Sequence, residues 1–243
     1  MSAADELRRL HRGPPLLVLP NAWDVASARA FAALPGCRAI ATTSAAVARS
    51  LGFDDGEQAP VEEMLRVVER IATAVAVPVS ADLEAGYGDP PRTAAGAVAA
   101  GAAGMNLEDS HGEKQLVGLD DQVELIRAVR AAAPDLVLNA RVDVFISGAG
   151  GIDEAVERGN AYLAAGADCV YPIVAPWEAI AALVGGIGGP LNILVPVEEP
   201  RLDELEALGV ARVTFGPRLA TAALDEATRL AGAALARQLP GAR

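Results

Sequence analysis

The sequence predicts an α/β fold, a (β/α)8 barrel in a single domain over residues 1–243. Three observations predict it. Short apolar runs alternate along the whole chain with Ala-rich amphipathic stretches, in eight strand–helix units. The 243 residues match the ~250 typical of such barrels. The first βα turn reads PNAWD and no GxGxxG follows it, so the doubly wound open sheet lacks its fingerprint.

The elements follow in order. LLVLPN (16–21) reads as the first strand, and Asp24 is placed to cap a helix over 24–34. AIATTS (39–44) is the second strand. A helix over 61–75 leads through Pro78, which stops the helix, into PVSADLE (78–84). A helix over 92–100 leads to GMNLEDS (104–110), and one over 120–133, capped by Asp120 and ended by Pro134, leads to LVLNARVD (136–143). The sixth strand, CVYPIV (169–174), follows a helix over 153–165 with Asp153 as cap and Gly166 as stop. Helices over 177–184 and 202–208, stopped by Gly185 and Gly209, flank LNILVPV (191–197). RVTFGP (212–217) is the eighth strand, and an amphipathic helix over 218–238 closes the chain.

Composition narrows the function. A hydrophobic fraction of 52% with only 4% aromatics implies a core filled by Ala and small aliphatics. A net charge of −12 argues against nucleic acid and anionic membranes as partners. Cys37 and Cys169 form no CxxC pair, so neither a zinc site nor a disulfide framework is expected. The N-terminal stretch MSAADELRRLHRGPP lacks a signal-peptide core, and no apolar run approaches ~18 residues. The expectation is a reduced, cytoplasmic protein. GAGG (148–151) and GGIGG (185–189) lack a following Lys-Ser/Thr and read as loops.

Parity along three strands locates a site. Side chains alternate between the faces of a strand. Ser80, Asp82 and Glu84 share one face, as do Asn106, Glu108 and Ser110, and Val137, Asn139, Arg141 and Asp143. Each series grows more charged toward the strand's C-terminal end, where barrel enzymes build their active sites. Acids and an Arg facing inward are costly unless paired or bound to metal. Asp82, Glu84 and Glu108 suit Mg2+, a hard cation that takes one or two carboxylates and keeps its waters. No His lies near them, which disfavours zinc. Arg141 would orient a carboxylate or phosphonate through its planar fork. A structural salt-bridge network of Arg141 with Asp143 or Glu108 is the alternative.

The stretches SADLEAGYG, NLEDS and NARVDVF (139–145), in this order and spacing, resemble the isocitrate lyase/phosphoenolpyruvate mutase superfamily. The resemblance extends from PNAWDVASARAF (20–31) to GVARVTFG (209–216). It implies a barrel whose last helix is exchanged between subunits of a homodimer or homotetramer. It implies Mg2+, with Mn2+ as a substitute, held by Asp82, Glu84 and Glu108. Arg141 and Asp82 would contact substrate. So would Thr43 and Ser44, which match the carboxylate-binding turn after the second strand. Leu51, Gly52 and Asp55 match an L-G-x-x-D segment whose Asp lies near the reacting group. The implied chemistry is formation or consumption of a pyruvate-type enolate from a small 2-oxo or hydroxy di- or tricarboxylate such as oxaloacetate.

The loop SHGEKQLVG (110–118) departs from the superfamily lyases, which resemble one another in a K-[KR]-C-G-H motif there. It contains no Cys. It does contain Lys114, the single lysine of the chain, and His111, one of 2 histidines. Both are candidates for proton transfer or anion binding, with plain surface residues as the alternative. His11, near the terminus, is expected to have no role. A lyase or decarboxylase is the preferred reading. A P–C bond enzyme (phosphoenolpyruvate mutase or phosphonopyruvate hydrolase) and a non-catalytic metabolite-binding barrel are the alternatives.

Overall fold

The computed structural model describes residues 1–112 and 115–237. Its strands are β1 (Leu17–Leu19), β2 (Asn21–Ala22), β3 (Ile40–Thr42), β4 (Val79–Asp82), β5 (Gly104–Leu107) and β6 (Ser110–His111). They continue with β7 (Gln115–Leu116), β8 (Val137–Val142), β9 (Cys169–Pro172), β10 (Asn192–Leu194) and β11 (Arg212–Thr214). β6 and β7 form a small antiparallel hairpin. The other pairings are parallel, giving the parallel-sheet α/β fold that the alternating pattern predicts.

The ladders form a six-stranded sheet, β2-β3-β4-β5-β8-β9, and a three-stranded sheet, β1-β11-β10. Two junctions relate them. β1 and β2 are one run of chain interrupted at Pro20, which has no N–H to give a ladder. At the other junction, a single bridge joins Val170 of β9 to Leu191, just ahead of β10. Strand order therefore follows chain order around the molecule, as in an eight-stranded barrel, although the hydrogen-bond ladder is not continuous at either junction.

Asp24 caps its helix as expected, accepting from Ser27 N at 2.7 Å. Asp120 and Asp153 do not cap: Gly118 and Gly151 hold those positions, and the two acids sit in the first turn. There they oppose the positive end of the helix dipole. Gly166 and Gly209 end their helices in the left-handed region, at φ 116° and 93°. Gly185 lies inside the helix Ile180–Gly186 instead of ending it.

Three helices were not anticipated: Ala3–Leu10, Ser44–Leu51 and Val144–Ser147. The first begins with a Ser2–Asp5 capping box. Its Leu7 and Leu10 pack with Leu17, Leu19, Ala41, Ala103 and Val137, so this charged segment closes the floor beneath the strands. The helix Ser44–Leu51 starts where β3 ends and carries part of the candidate site.

The last helix, Arg218–Leu235, has no buried residue. Leu224 and Leu230 are 67% and 41% exposed. Its expected end at 238 lies outside the described residues. Among the described residues no helix is long and apolar enough to cross a membrane.

Candidate active site

A cavity of about 150 Å3 opens among the C-terminal ends of the strands. Its polar lining includes Thr43, Ser44, Asp55, Asp82, Glu108 and Arg141, all expected from the sequence. Ile146, Ile173 and Leu194 form an apolar wall, and Asn21, Asn106, Tyr171 and Thr214 complete the polar lining.

Asp82 ends β4. Its Oδ2 accepts the backbone N–H of Ser44 at 3.0 Å, and its Oδ1 accepts from Asn106 Nδ2 at 3.1 Å. Ser44 is the first residue of a helix, so the carboxylate meets the positive end of a helix dipole. The Ser44 hydroxyl reaches Asp55 Oδ1 at 3.2 Å. The Asp82 backbone N–H bonds Thr42 Oγ1 at 2.8 Å, locking β4 against β3. Thr43 makes no side-chain cap bond, which leaves its hydroxyl for the cavity it lines.

Arg141 lies on β8, with Glu108 just past the end of β5. Nε and Nη2 of Arg141 donate to the two oxygens of Asp143 at 2.5 and 2.8 Å, and Nη1 pairs with Glu108. Burial alone would lower the Arg141 pKa. The charge of Glu108 and the bonds to Asp143 outweigh that and hold it above its ordinary value. Asp143 is fully buried and also accepts the Ser110 hydroxyl. Asp109 supports it from behind, accepting Asp143 N at 2.8 Å and Tyr162 OH at 2.6 Å. Burial pushes the Asp109 carboxyl above its usual range.

Glu84 is placed differently from its partners. It follows the end of β4 with φ 50°, so the two-residue alternation stops at Asp82. Its carboxylate is buried outside the cavity lining, accepting Tyr87 OH at 2.7 Å and Glu57 N at 2.8 Å. Burial first, and then the charges of Asp82 and Asp55, push its pKa up to about 7. Tyr87 thus serves Glu84 and does not line the cavity.

His111 is exposed on the hairpin and does not line the cavity. Lys114 lies outside the described residues. Glu198 and Glu199 are exposed, and Arg218 donates to Val195 O at 3.3 Å away from the lining. The sequence reading did not single out Tyr171, Thr214 or the three aliphatics. The inward parity of β9 and β11 was the available signal for the first two. Burial raises the Tyr171 phenol to about 12 against the pull of Arg141, so it stays a proton-bearing donor at neutral pH.

Among the described residues no three His, Cys, Asp or Glu side chains gather closely enough to enclose a metal ion. The donor set still fits a hard dication that keeps most of its waters. Asp55, Asp82 and Glu108 line one cavity, and their carboxylates are oxygen donors of the kind Mg2+ prefers.

The phosphoenolpyruvate phosphomutase family model matches residues 7–235 of the chain. The chain belongs to the isocitrate lyase/phosphoenolpyruvate mutase superfamily. An uncharacterised protein of Mycobacterium tuberculosis is 38% identical over 209 residues, covering 85% of this chain and 79% of its own. The 2-methylisocitrate lyase of Bacillus subtilis is 31% identical over 180 residues, covering 70% and 59%. Among solved superfamily structures, oxaloacetate acetylhydrolase bound to 3,3-difluorooxalacetate superposes with a TM-score of 0.88 at 27% identity, over 100% of this chain and 89% of the other. Phosphoenolpyruvate phosphomutase from Streptomyces platensis gives 0.88 at 26% identity, over 97% and 88%. The superfamily therefore contributes both lyases and a mutase as relatives, and these solved barrel-type structures bear out the predicted fold class.

Proposed function

We propose that this chain is a divalent-metal-dependent lyase that breaks a carbon–carbon bond to C3 of a small 2-oxo or 2-hydroxy acid. The observation that carries the reading is the joint placement of Asp55, Asp82, Glu108 and Arg141 with Thr43 and Ser44 around one cavity of about 150 Å3. That volume suits a molecule of oxaloacetate size. Lyases among the relatives, acting by name on 2-methylisocitrate and 2,3-dimethylmalate, and the oxaloacetate acetylhydrolase structures support it.

Asp82 would hold the metal, Mg2+ or Mn2+, with Asp55 and Glu108 acting through water, whereas Glu84, bonded to Tyr87 and Glu57 outside the lining, would not reach it. When bound, the ion would supply a Lewis acid to the oxygen on C2 of the substrate, oxo or hydroxyl, as the bond breaks. The protein does the rest. Arg141 orients the substrate carboxylate, which competes with Glu108 for Nη1. The Thr43 hydroxyl donates to the carboxylate's other side. Tyr171, held protonated by burial, donates a hydrogen bond from the deep wall. The apolar wall of Ile146, Ile173 and Leu194 keeps water from the carbanionic face. Lys114 and His111, both in the 110–118 segment, are the proton carriers proposed for the departing fragment.

The absence of Cys from 110–118 favours a proton carrier unlike that of the Cys-bearing lyases, and it keeps P–C bond chemistry as the second reading. A homodimer or homotetramer is proposed for the assembly, resting on the exposed last helix. The test is a screen of oxaloacetate, 2-methylisocitrate, 2,3-dimethylmalate and phosphonopyruvate, with Mg2+ and with a chelator, reading 2-oxo acid or oxalate release. Turnover of a carbon substrate that a chelator abolishes is the expected result. Turnover of phosphonopyruvate alone establishes the second reading, and chelator-insensitive turnover overturns the metal.

A further inference from the structure

The interior layer directly beneath the candidate site is polar. Ser80, Asn139, Cys169, Asn192 and Arg212 each stand two residues before a side chain that lines the cavity, namely Asp82, Arg141, Tyr171, Leu194 and Thr214. Side chains two apart on a strand share a face, so these five point into the barrel one layer deeper. Each is at most 1% exposed. Branched aliphatics dominate such a layer in an ordinary barrel.

Arg212 is the residue this layer leaves unbalanced. Its side chain crosses from β11 to β4 and donates from Nη2 to Ser80 Oγ at 3.2 Å. Nε and Nη1 have no hydrogen-bond partner, and the guanidinium takes part in no ion pair among the described residues. Asp168, the acid beside this floor, is already engaged by Arg8 at 2.7 Å and Arg130 at 2.5 Å. Asn139 Oδ1 is likewise unpaired, and so are both ring nitrogens of His11, which rises from below. Burial, and then the charge of Arg212, hold His11 down to about 3, so it is neutral and offers one N–H. A buried cation without a counter-charge is strongly unfavourable, and native structures pair it. A second cavity, of about 410 Å3, reaches this floor from outside, lined by His11, Arg12, Leu16, Pro190 and Ala211. Ala211 is the chain neighbour of Arg212.

We propose that this layer is an anion site, in which a chloride-sized monovalent anion pairs with Arg212 and is reached from the floor cavity past His11. The acid whose charge reaches Arg212, Asp82, stands a layer above and makes no ion pair with it, so one positive charge in this layer calls for one negative charge. Close packing of the surrounding strands calls for a small ion, with water satisfying Asn139. The site lies one layer below the catalytic cavity, whose own cation is Arg141.

The test is thermal unfolding in sodium gluconate, chloride and bromide at equal ionic strength. Halide at about five times its dissociation constant raises Tm by roughly 2–4 °C by mass action. Arg212→Met abolishes the halide-specific rise. No halide-specific rise in the native chain overturns the site, and so does an equal rise in Arg212→Met. Crystals grown in bromide give a second readout, which decides the matter should the variant fail to fold. An anomalous bromide peak in hydrogen-bond contact with the Arg212 guanidinium is expected, and water alone at that position overturns the proposal.

Discussion

Arg141 gives both edges of its guanidinium away inside the protein, with Nε and Nη2 on the two oxygens of Asp143 at 2.5 and 2.8 Å. The remaining Nη1 pairs with Glu108. Asp143 therefore fixes the plane of the fork before any ligand arrives, and a substrate carboxylate meets a preoriented cation. Asp143→Ala leaves a buried guanidinium short of one partner. The expected cost is about 3–5 kcal/mol of stability, read by urea unfolding, with weakened oxalate binding. A cost below about 1 kcal/mol would show that the pair behaves like a surface contact and does not hold Arg141.

Asp82 joins β4, β5 and the helix Ser44–Leu51 through one carboxylate. Asp82→Ala orphans the Ser44 N–H and the Asn106 amide and removes the central oxygen donor. Turnover falls by about 100-fold or more, and Mn2+ and oxalate binding measured by equilibrium dialysis are lost. Unchanged binding of both ligands would sink the assignment of Asp82.

The hairpin is tied down at both ends. Ser110 bonds Asp143, and Val117 N bonds Asp109 O at 2.8 Å while Arg158 Nη1 takes Val117 O at 3.0 Å. A hydrogen bond to a buried carboxylate contributes about 1.5–3 kcal/mol. Ser110→Ala loses roughly that much, and hydrogen exchange across 110–117 accelerates. Unaltered exchange there would mean that the Ser110 tie is not what orders the hairpin.

His11 titrates at about 3 in the fold against 6.5 in the unfolded chain. Between those values the unfolded state binds more protons, so stability is full above about 6.5 and drains away as the pH falls toward 3. Two pH units inside that window are worth about 2–3 kcal/mol. His11→Phe, measured in gluconate buffer, flattens the pH dependence of unfolding between 6.5 and 4.5 relative to the native chain. An identical slope in both proteins would show that His11 is solvated in the fold.

The last helix exposes Leu224, Leu230 and Leu235, a face that a second copy would cover. Sedimentation equilibrium should find a homodimer or homotetramer, and a chain ending at Pro217 should dissociate. A native chain that sediments as a monomer at micromolar concentration removes the assembly proposal.

Much of the site was legible because period-two alternation is a local property. Asp82, Glu108 and Arg141 could be assigned to one interior from three short stretches of sequence. Alternation fails where the strand stops, which is why Glu84, at φ 50°, left the cavity that Asp82 entered. The same parity applied to RVTFGP would have shown Arg212 pointing inward with Thr214. The burial of His11 was not legible because a short charged segment gives no sign of packing beneath a barrel. Only the Leu7 and Leu10 pair hints at it, and what decides the burial is the tertiary contact with Leu17, Ala103 and Val137. Asp120 and Asp153 show a smaller limit. A cap residue and a first-turn acid look alike in sequence, and they differ in their own backbone conformation, extended in the cap Asp24 and helical in Asp120 and Asp153.

The break at Pro20 and the lone Val170–Leu191 bridge cut the strand ring into two mechanical blocks. Asp82, Glu108 and Arg141 ride on the six-stranded block, whereas the three-stranded block contributes only Leu194, Thr214 and its following Gly216 and Pro217 to the lining. Asn21 spans one seam, holding Thr42 O at 2.7 Å on one side and Phe215 N at 2.7 Å on the other. Substitutions in the smaller block, at Leu194 or Thr214, would therefore alter the shape of the chamber while the three charged groups stay on their own ladder.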